Sequence, residues 1–215
     1  MSFHPNYTPI VQGMLNSDII KLGDTFELKD GRRSSFYVNM RDMISDTDLF
    51  HDASYALGET AENSFFHEET LAPLQHDRYL MAIPETASEY AGAISFHFDI
   101  PLLKRRVRQK THGEPRPLEG KYHEGDDVVL LDDVISSAQS KLEAVSFLAS
   151  LGLNTAGVVV LVDRQQGGRS ELKENGIDFE AVLTISSIAK YALDREKISN
   201  SVYESVMTEL DPREL

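Results

Sequence analysis

Residues 128–144 read VVLLDDVISSAQSKLEA, and this stretch constrains the fold more tightly than any other. Four apolar residues run straight into Asp132 and Asp133. A turn of small residues follows, and from Lys141 to Leu151 the apolar positions Leu142, Val145, Leu148 and Ala149 recur at helical spacing. An unbroken apolar run such as Val128–Leu131 marks a strand buried on both faces, because a half-solvated strand would alternate.

The pattern then repeats. Ala156–Val162 is a second apolar, β-branched strand, a short helix lies near Ser170–Asn175, and Ala181–Ile185 is a third strand. Apolar strands alternating with helices predict an α/β fold with a mainly parallel sheet covered on both sides. Such sheets take ligands beyond the carboxyl ends of their strands, where the two aspartates fall. The first half is less regular. Pro5–Leu15 predicts a short amphipathic helix through Ile10, Val11, Met14 and Leu15. IIKLGDTFELKDGRRSSFYVNMRD (19–42) reads as extended segments broken at Gly23 and at Asp30–Gly31. Residues 46–66 read as helix and 78–83 as a buried strand. Residues 104–125, rich in charge, glycine and proline, read as a long loop of the kind that serves as a lid.

Composition narrows the function. With 215 residues the chain is expected to form one domain able to bury a sizeable core without staples. It has no cysteine, which removes disulfides and thiolate chemistry. A net charge of −14 argues against generic nucleic-acid binding. The N-terminus lacks signal-peptide character, and no apolar run approaches ~20 residues, so a soluble, cytoplasmic protein with no membrane partner is expected. Against the acidic background, KRRVRQK (104–110) holds five basic residues in seven. Composition alone reads it as a solvated charged loop, with a site for a small anion as the alternative.

A strand, a small-residue turn and a helix N-terminus together make an anion site, since turn amides point outward and the helix dipole favours negative charge. Carboxylates just before the turn would hold sugar hydroxyls or a metal that accompanies the anion. The turn is neither GxxxxGK[ST] nor GxGxxG. Read as a plain helix cap, Asp133 or Ser136 accounts for one acid or one serine, not for adjacent acids. A receiver-type domain would split its acids between two strands and leaves the basic segment unexplained.

VVLLDDVISSAQSKLEA resembles the phosphoribosyl pyrophosphate (PRPP) signature of type I phosphoribosyltransferases. Among them the chain is similar to the orotate phosphoribosyltransferase family. FELKDGRRSSFYVNMRD (26–42) resembles its N-terminal orotate-side segment and RRVRQKTHG (105–113) its mobile catalytic loop. LEGKYHEGDDVVLLDDV (118–134) resembles its loop-to-strand transition, and VVVLVDRQQGG (158–168) the strand that delivers an orotate-binding arginine. The resemblance implies one phosphoribosyltransferase-like domain over 1–215, with an N-terminal helix and hood strands in 1–45 and a mobile loop at 104–125. It implies that Asp132 and Asp133 hold the ribose hydroxyls, and that Ser136, Ser137 and Ser140 with the turn amides cradle the 5-phosphate. Lys110 and His112, with Arg106, would close over the pyrophosphate and reach the neighbouring subunit of a homodimer. Lys29, Tyr37 and Arg164 would contact orotate, and Mg2+ would arrive held mainly by PRPP. A planar guanidinium at 164 suits a flat ring bearing carboxylate and carbonyl oxygens, which argues against a purine base.

The chain also departs from that pattern. Ala138 and Gln139 replace the glycine pair of the phosphate turn, so Ala138 must keep a negative φ for the backbone to approach a phosphate. AIPETASEYAG (82–92) keeps Pro84 but has Glu85, Thr86, Ala87 and Ser88 where glycines are usual, and Val107 stands at a position that is commonly lysine. ISFHFDI (94–100) alternates as a strand does, but the resemblance places most of it on a helix, and a helix is expected there. Two functions remain open: a working transferase of pyrimidine biosynthesis, or a catalytically impaired paralogue that binds PRPP or a nucleotide as a regulator or partner.

Overall fold

The computed structural model describes residues 5–27, 33–66, 77–106 and 117–215. Pro5–Tyr7 makes a 3-10 turn into α1 (Thr8–Asn16), where Pro9 sits in the first turn and its missing N–H costs no helical bond. Ile10, Val11 and Met14 are its buried face. Two strands follow as an antiparallel hood, β1 (Ile20–Glu27) and β2 (Arg33–Val38), paired from Ile20↔Val38 to Glu27↔Arg33. Gly23 does not end β1 as expected. With φ 111° it lies where the register slips between Leu22 and Phe26, an irregularity inside one strand. The turn expected at Asp30–Gly31 lies outside the described residues. α2 (Thr47–Ala61) is capped by the Asp46 carboxylate, which accepts the Leu49 N–H at 3.1 Å, and runs on as a π-helical turn over Glu62–Phe66.

The central sheet is built from β3 (Arg78–Ala82), β4 (Leu102–Arg105), β5 (Leu118–Glu119), β6 (Asp127–Ile135), β7 (Asn154–Asp163) and β8 (Phe179–Thr184). Their order is β5-β4-β3-β6-β7-β8, and every pairing is parallel except β4 with β5. Alternation along each strand sends Leu80, Val129, Leu131, Val159 and Leu161 into one apolar cluster with α2 and α3 (Ala87–Phe98). It sends Met81, Val128, Leu130, Val158 and Val160 into a second with α4 (Gln139–Ala149) and α5 (Gly168–Glu174). Both faces are covered, so the apolar runs are continuous. α6 (Ile185–Asp194) and α7 (Asn200–Thr208) complete the chain. Glu209, just past α7, anchors the hood by accepting from Ser34 Oγ (2.7 Å) and the Ser35 N–H (2.5 Å).

ISFHFDI is helical through Phe98, as the resemblance implied; its alternation misleads because Phe96 is 90% exposed and contributes nothing to a core. Two expectations are corrected. Residues 104–125 are not all loop, since Lys104 and Arg105 end β4 and pair with Glu119 and Leu118 of β5; 107–116 lie outside the described residues. α4 buries Lys141, Ala144 and Leu148, while Leu142 and Val145 are half-buried and Ala149 is exposed. The helix is turned about one residue from the expected face, and a lysine points inward. Among the described residues no helix is long and apolar enough to cross a membrane.

Candidate active site

β6 outruns its neighbour. Its last partner on β3 is Ala82↔Leu131, where the Ile83 N–H also donates to the Leu131 carbonyl at 2.8 Å. Beside β7, however, β6 continues through Asp132↔Val160 to Ile135↔Asp163. Asp132 and Asp133 therefore lie within β6, on a shelf past the end of β3, not after a strand that stops at Leu131.

Burial makes the acids costly unless they are paired. Asp132 Oδ1 accepts the Asp133 N–H at 2.9 Å, and Oδ2 accepts Lys141 Nζ at 2.5 Å. Lys141, only 3% exposed, also donates to the Val134 carbonyl at 2.8 Å. Burial, together with the neighbouring Asp132 charge, pushes the Asp133 carboxyl up from 3.8 to about 7, while Lys141 and the Val134 N–H pull it back. Burial next to Asp133 also raises the Tyr90 phenol, whose hydroxyl meets Met43 Sδ at 3.0 Å.

The turn after β6 holds Ala138 at φ −83°, ψ −2°, so the condition set by the missing glycines is met without left-handed backbone. Ser137 and Ser140 are exposed and Ser136 is half-buried. Neither Asp133 nor Ser136 caps α4. Its N-cap is Ala138, whose N–H donates to Glu171 Oε2 of α5 at 2.8 Å. α5 comes this close because Gly168 has no side chain: a Cβ there would stand 2.6 Å from Ile135 Cγ1 and 3.2 Å from the Ser136 carbonyl.

At the end of β7, the Arg164 N–H bonds the Ile135 carbonyl at 2.9 Å and its guanidinium lies 5.1 Å from the Phe36 ring centre. The hood thus meets the strand ends through Phe36, which is buried. Tyr37 takes the opposite face of β2, is 40% exposed, and packs on Phe26 with ring centres 5.8 Å apart. Beyond β3, Pro84–Thr86 forms the turn into α3, with a cis Pro84–Glu85 peptide and Glu85 exposed to solvent. Arg106 sits at the neck of the basic segment, its Nε donating to Glu119 Oε1 at 2.9 Å. Lys29, Lys110 and His112 lie outside the described residues.

The structure therefore gathers Asp132, Asp133, the 136–140 turn and Arg164 at adjacent strand ends, with Phe36 above. A family model for the phosphoribosyl transferase domain matches residues 59–191, from α2 through β8 into α6. The chain belongs to the phosphoribosyl transferase family. Within it the chain groups with the orotate phosphoribosyltransferases. It is 31% identical over 182 residues to the orotate phosphoribosyltransferase of Methanosphaera stadtmanae, covering 85% of this chain and 96% of that one. It is 32% identical over 197 residues to the uridine 5'-monophosphate synthase of Bos taurus, covering 92% of this chain but only 39% of that relative. The solved UMP synthase of Leishmania donovani superposes with a TM-score of 0.73 at 27% identity, over 95% of this chain and 42% of that one. The chain thus spans about two fifths of the longer relatives and nearly all of the shorter one.

For a phosphoribosyltransferase, three residues that carry the site's electrostatics were not singled out in the sequence: Lys141, Glu171 and Phe36. The period-two alternation of β2 would have marked Phe36, and a lysine one turn after an acid pair would have marked Lys141. Glu171 is visible only once α5 is packed.

Proposed function

We propose that this protein is an orotate phosphoribosyltransferase, transferring phosphoribosyl from PRPP to orotate to give orotidine 5'-monophosphate and pyrophosphate in pyrimidine biosynthesis. The observation that carries it is the shelf: adjacent acids, a phosphate-type turn and Arg164 on neighbouring strand ends of a phosphoribosyltransferase sheet. The acids address ribose hydroxyls, with Asp133 the better placed because both Asp132 oxygens already accept internal donors. Ser136, Ser137, Ser140 and the turn amides address the 5-phosphate, and Arg164, braced on Phe36, addresses the orotate carboxylate. Lys29 and Tyr37 approach orotate from the hood, and Lys110, His112 and Arg106 close over the leaving group.

Breaking the anomeric bond builds positive charge on ribose and negative charge on pyrophosphate. The oxygen donors at the shelf suit magnesium, though Asp133 is the one carboxylate there not tied to Lys141, which fits an ion carried mainly by PRPP. When bound, the ion would neutralise the departing pyrophosphate. Closure of the basic segment would keep water from the ribosyl cation. The whole chain, 1–215, acts on this reading as one unit in a cytoplasmic homodimer that shares its lid.

The second reading, a paralogue that binds PRPP or a nucleotide with little turnover, is favoured by one observation: Asp132 is already ion-paired to a buried lysine. The deciding assay follows orotate loss and pyrophosphate release with protein, PRPP and Mg2+. Turnover abolished by Lys110→Ala supports the transferase, and its absence at high protein concentration supports the binding paralogue. Asp132→Asn with Asp133→Asn is expected to weaken PRPP binding without unfolding; unchanged binding would remove the acids from the site.

A further inference from the structure

Glu214 and Glu171 each reach amides at a β–α turn from another part of the chain, and they sit there differently. Glu214, in the C-terminal 3-10 turn, accepts the Gly167 N–H at 3.0 Å and the Ser170 N–H at 2.8 Å, one with each oxygen, and is 6% exposed. It is part of the interior. Glu171 accepts one amide, that of Ala138, through Oε2 at 2.8 Å. It is partly exposed and lines an open groove of about 690 Å3 with Arg105 and Gln139. Glu214 is almost wholly withdrawn from solvent, whereas solvent reaches the carboxylate of Glu171.

We propose that Glu171 is a built-in competitor for the 5-phosphate and thereby a determinant of the site's affinity for phosphoribosyl ligands; this rests on the reading of the 136–140 turn as the phosphate cradle. A carboxylate oxygen and a phosphate oxygen are equivalent acceptors for an amide N–H, and the Ala138 N–H serves one of them at a time. A phosphate entering beside Glu171 also meets a like charge at contact distance. α5 cannot retreat to relieve this without opening its seam, because Gly168 packs directly on Ile135 and the Ser136 carbonyl. The side chain must swing instead, and the groove beside it gives it room.

The test is calorimetric binding of ribose 5-phosphate, and separately PRPP, to the full chain carrying Glu171→Ala, Glu171→Gln or Glu174→Gln. Glu174 lies one turn on and is exposed, so its variant removes the same charge from the same helix. Glu171→Ala is expected to tighten ribose 5-phosphate by about tenfold, the weight of one charge-assisted hydrogen bond at a partly exposed site. Glu171→Gln, uncharged but still an acceptor, should fall between and carries the test if the alanine variant does not fold. Unchanged or weaker binding in the Glu171 variants overturns the proposal, as does an equal gain in Glu174→Gln, which would be an effect of overall charge. Turnover of orotate with unchanged ribose 5-phosphate affinity sinks this inference and leaves the transferase standing. Tighter binding with no turnover in any variant does the reverse.

Discussion

The ends of β6 and β7 hold the same device in two states of completion. At β7, Asp163 accepts the Gln165 N–H at 2.7 Å through Oδ1 and faces Arg169 Nε at 3.2 Å through Oδ2. At β6, Asp132 accepts the Asp133 N–H and also accepts a hydrogen bond from Lys141 at 2.5 Å, which the Arg169 Nε does not give to Asp163. At β7 the acid faces an arginine that is about a third exposed, whereas at β6 two adjacent acids share one buried lysine. Burial is the main cause that raises both carboxyls, Asp163 to about 6 and Asp133 to about 7; the Glu214 charge adds to the rise at Asp163, and the adjacent Asp132, by charge and hydrogen bond, adds to that at Asp133. A closed ion pair is scaffold. An acid left over beside one is what a ligand bearing hydroxyl donors would complete, so the difference singles out Asp133 of the pair.

Removing the cations tests the contrast most severely. Lys141→Met leaves Asp132 buried opposite an apolar chain and should cost about 3–5 kcal/mol in urea denaturation, as expected for breaking a buried pair. Adding Asp132→Asn should restore part of the loss. Arg169→Met should cost much less, because its side chain is about a third exposed and water takes over part of the solvation of Asp163. Equal losses would erase the distinction between the two strand ends.

The acids separate by pH. Both carboxyls are raised from 3.8, so between that value and the native one only the folded state keeps the proton. The unfolded chain then binds fewer protons, and stability falls as pH rises from about 4 to about 7, after which the penalty is constant. Asp163→Asn should remove the part of that fall that ends near pH 6, and Asp133→Asn the part that continues to about pH 7. Each effect is a few kcal/mol at most. A stability profile unchanged above pH 6 in Asp133→Asn would contradict the leftover-acid account. PRPP affinity sharpens the point, since Asp133→Asn should weaken binding more than Asp132→Asn does.

The capping glutamates give a smaller contrast. Glu214→Ala strips two amides at the start of α5, that of the Gly167 N-cap and that of Ser170, and should cost about 1–2 kcal/mol, and Glu171→Ala, at one amide beside a partly exposed side chain, under about 1 kcal/mol. Thermal melts of the two variants give the comparison directly. A larger loss at Glu171 would make it a structural cap.

The fold was legible where local pattern and tertiary environment agree. Buried parallel strands must be apolar throughout, so VVLL and VVVLV declared β6 and β7, and the acids that break the first run marked where β6 passes the end of β3. ISFHFDI and the face of α4 misled for a shared reason. Phe96 is an aromatic that the core does not need, and Lys141 is a lysine that it does, because a buried acid stands opposite. Periodicity assigns residues to faces by polarity and has no term for a polar group that is buried because it is paired. Glu171 and Glu214 were invisible for a different reason: each reaches its amides across the fold, 33 and 47 residues away in the chain, and only the packed structure brings them together.

The lost glycines of the phosphate turn offer the finest test. If the SSAQS turn were strained for want of glycine, Ala138→Gly would relax it, raising stability and phosphate affinity together. The backbone says otherwise. Ala138 sits at φ −83°, in the ordinary right-handed region, with its methyl fully buried in the cluster beneath α4. Glycine there adds freedom to the unfolded chain and removes a packed methyl, so Ala138→Gly should destabilise by about 0.5–1 kcal/mol or slightly more. It should leave ribose 5-phosphate affinity unchanged, because the competing carboxylate stays in place. A gain in affinity from Ala138→Gly, with none from Glu171→Ala, would mean that backbone shape limits this site and not the charge beside it.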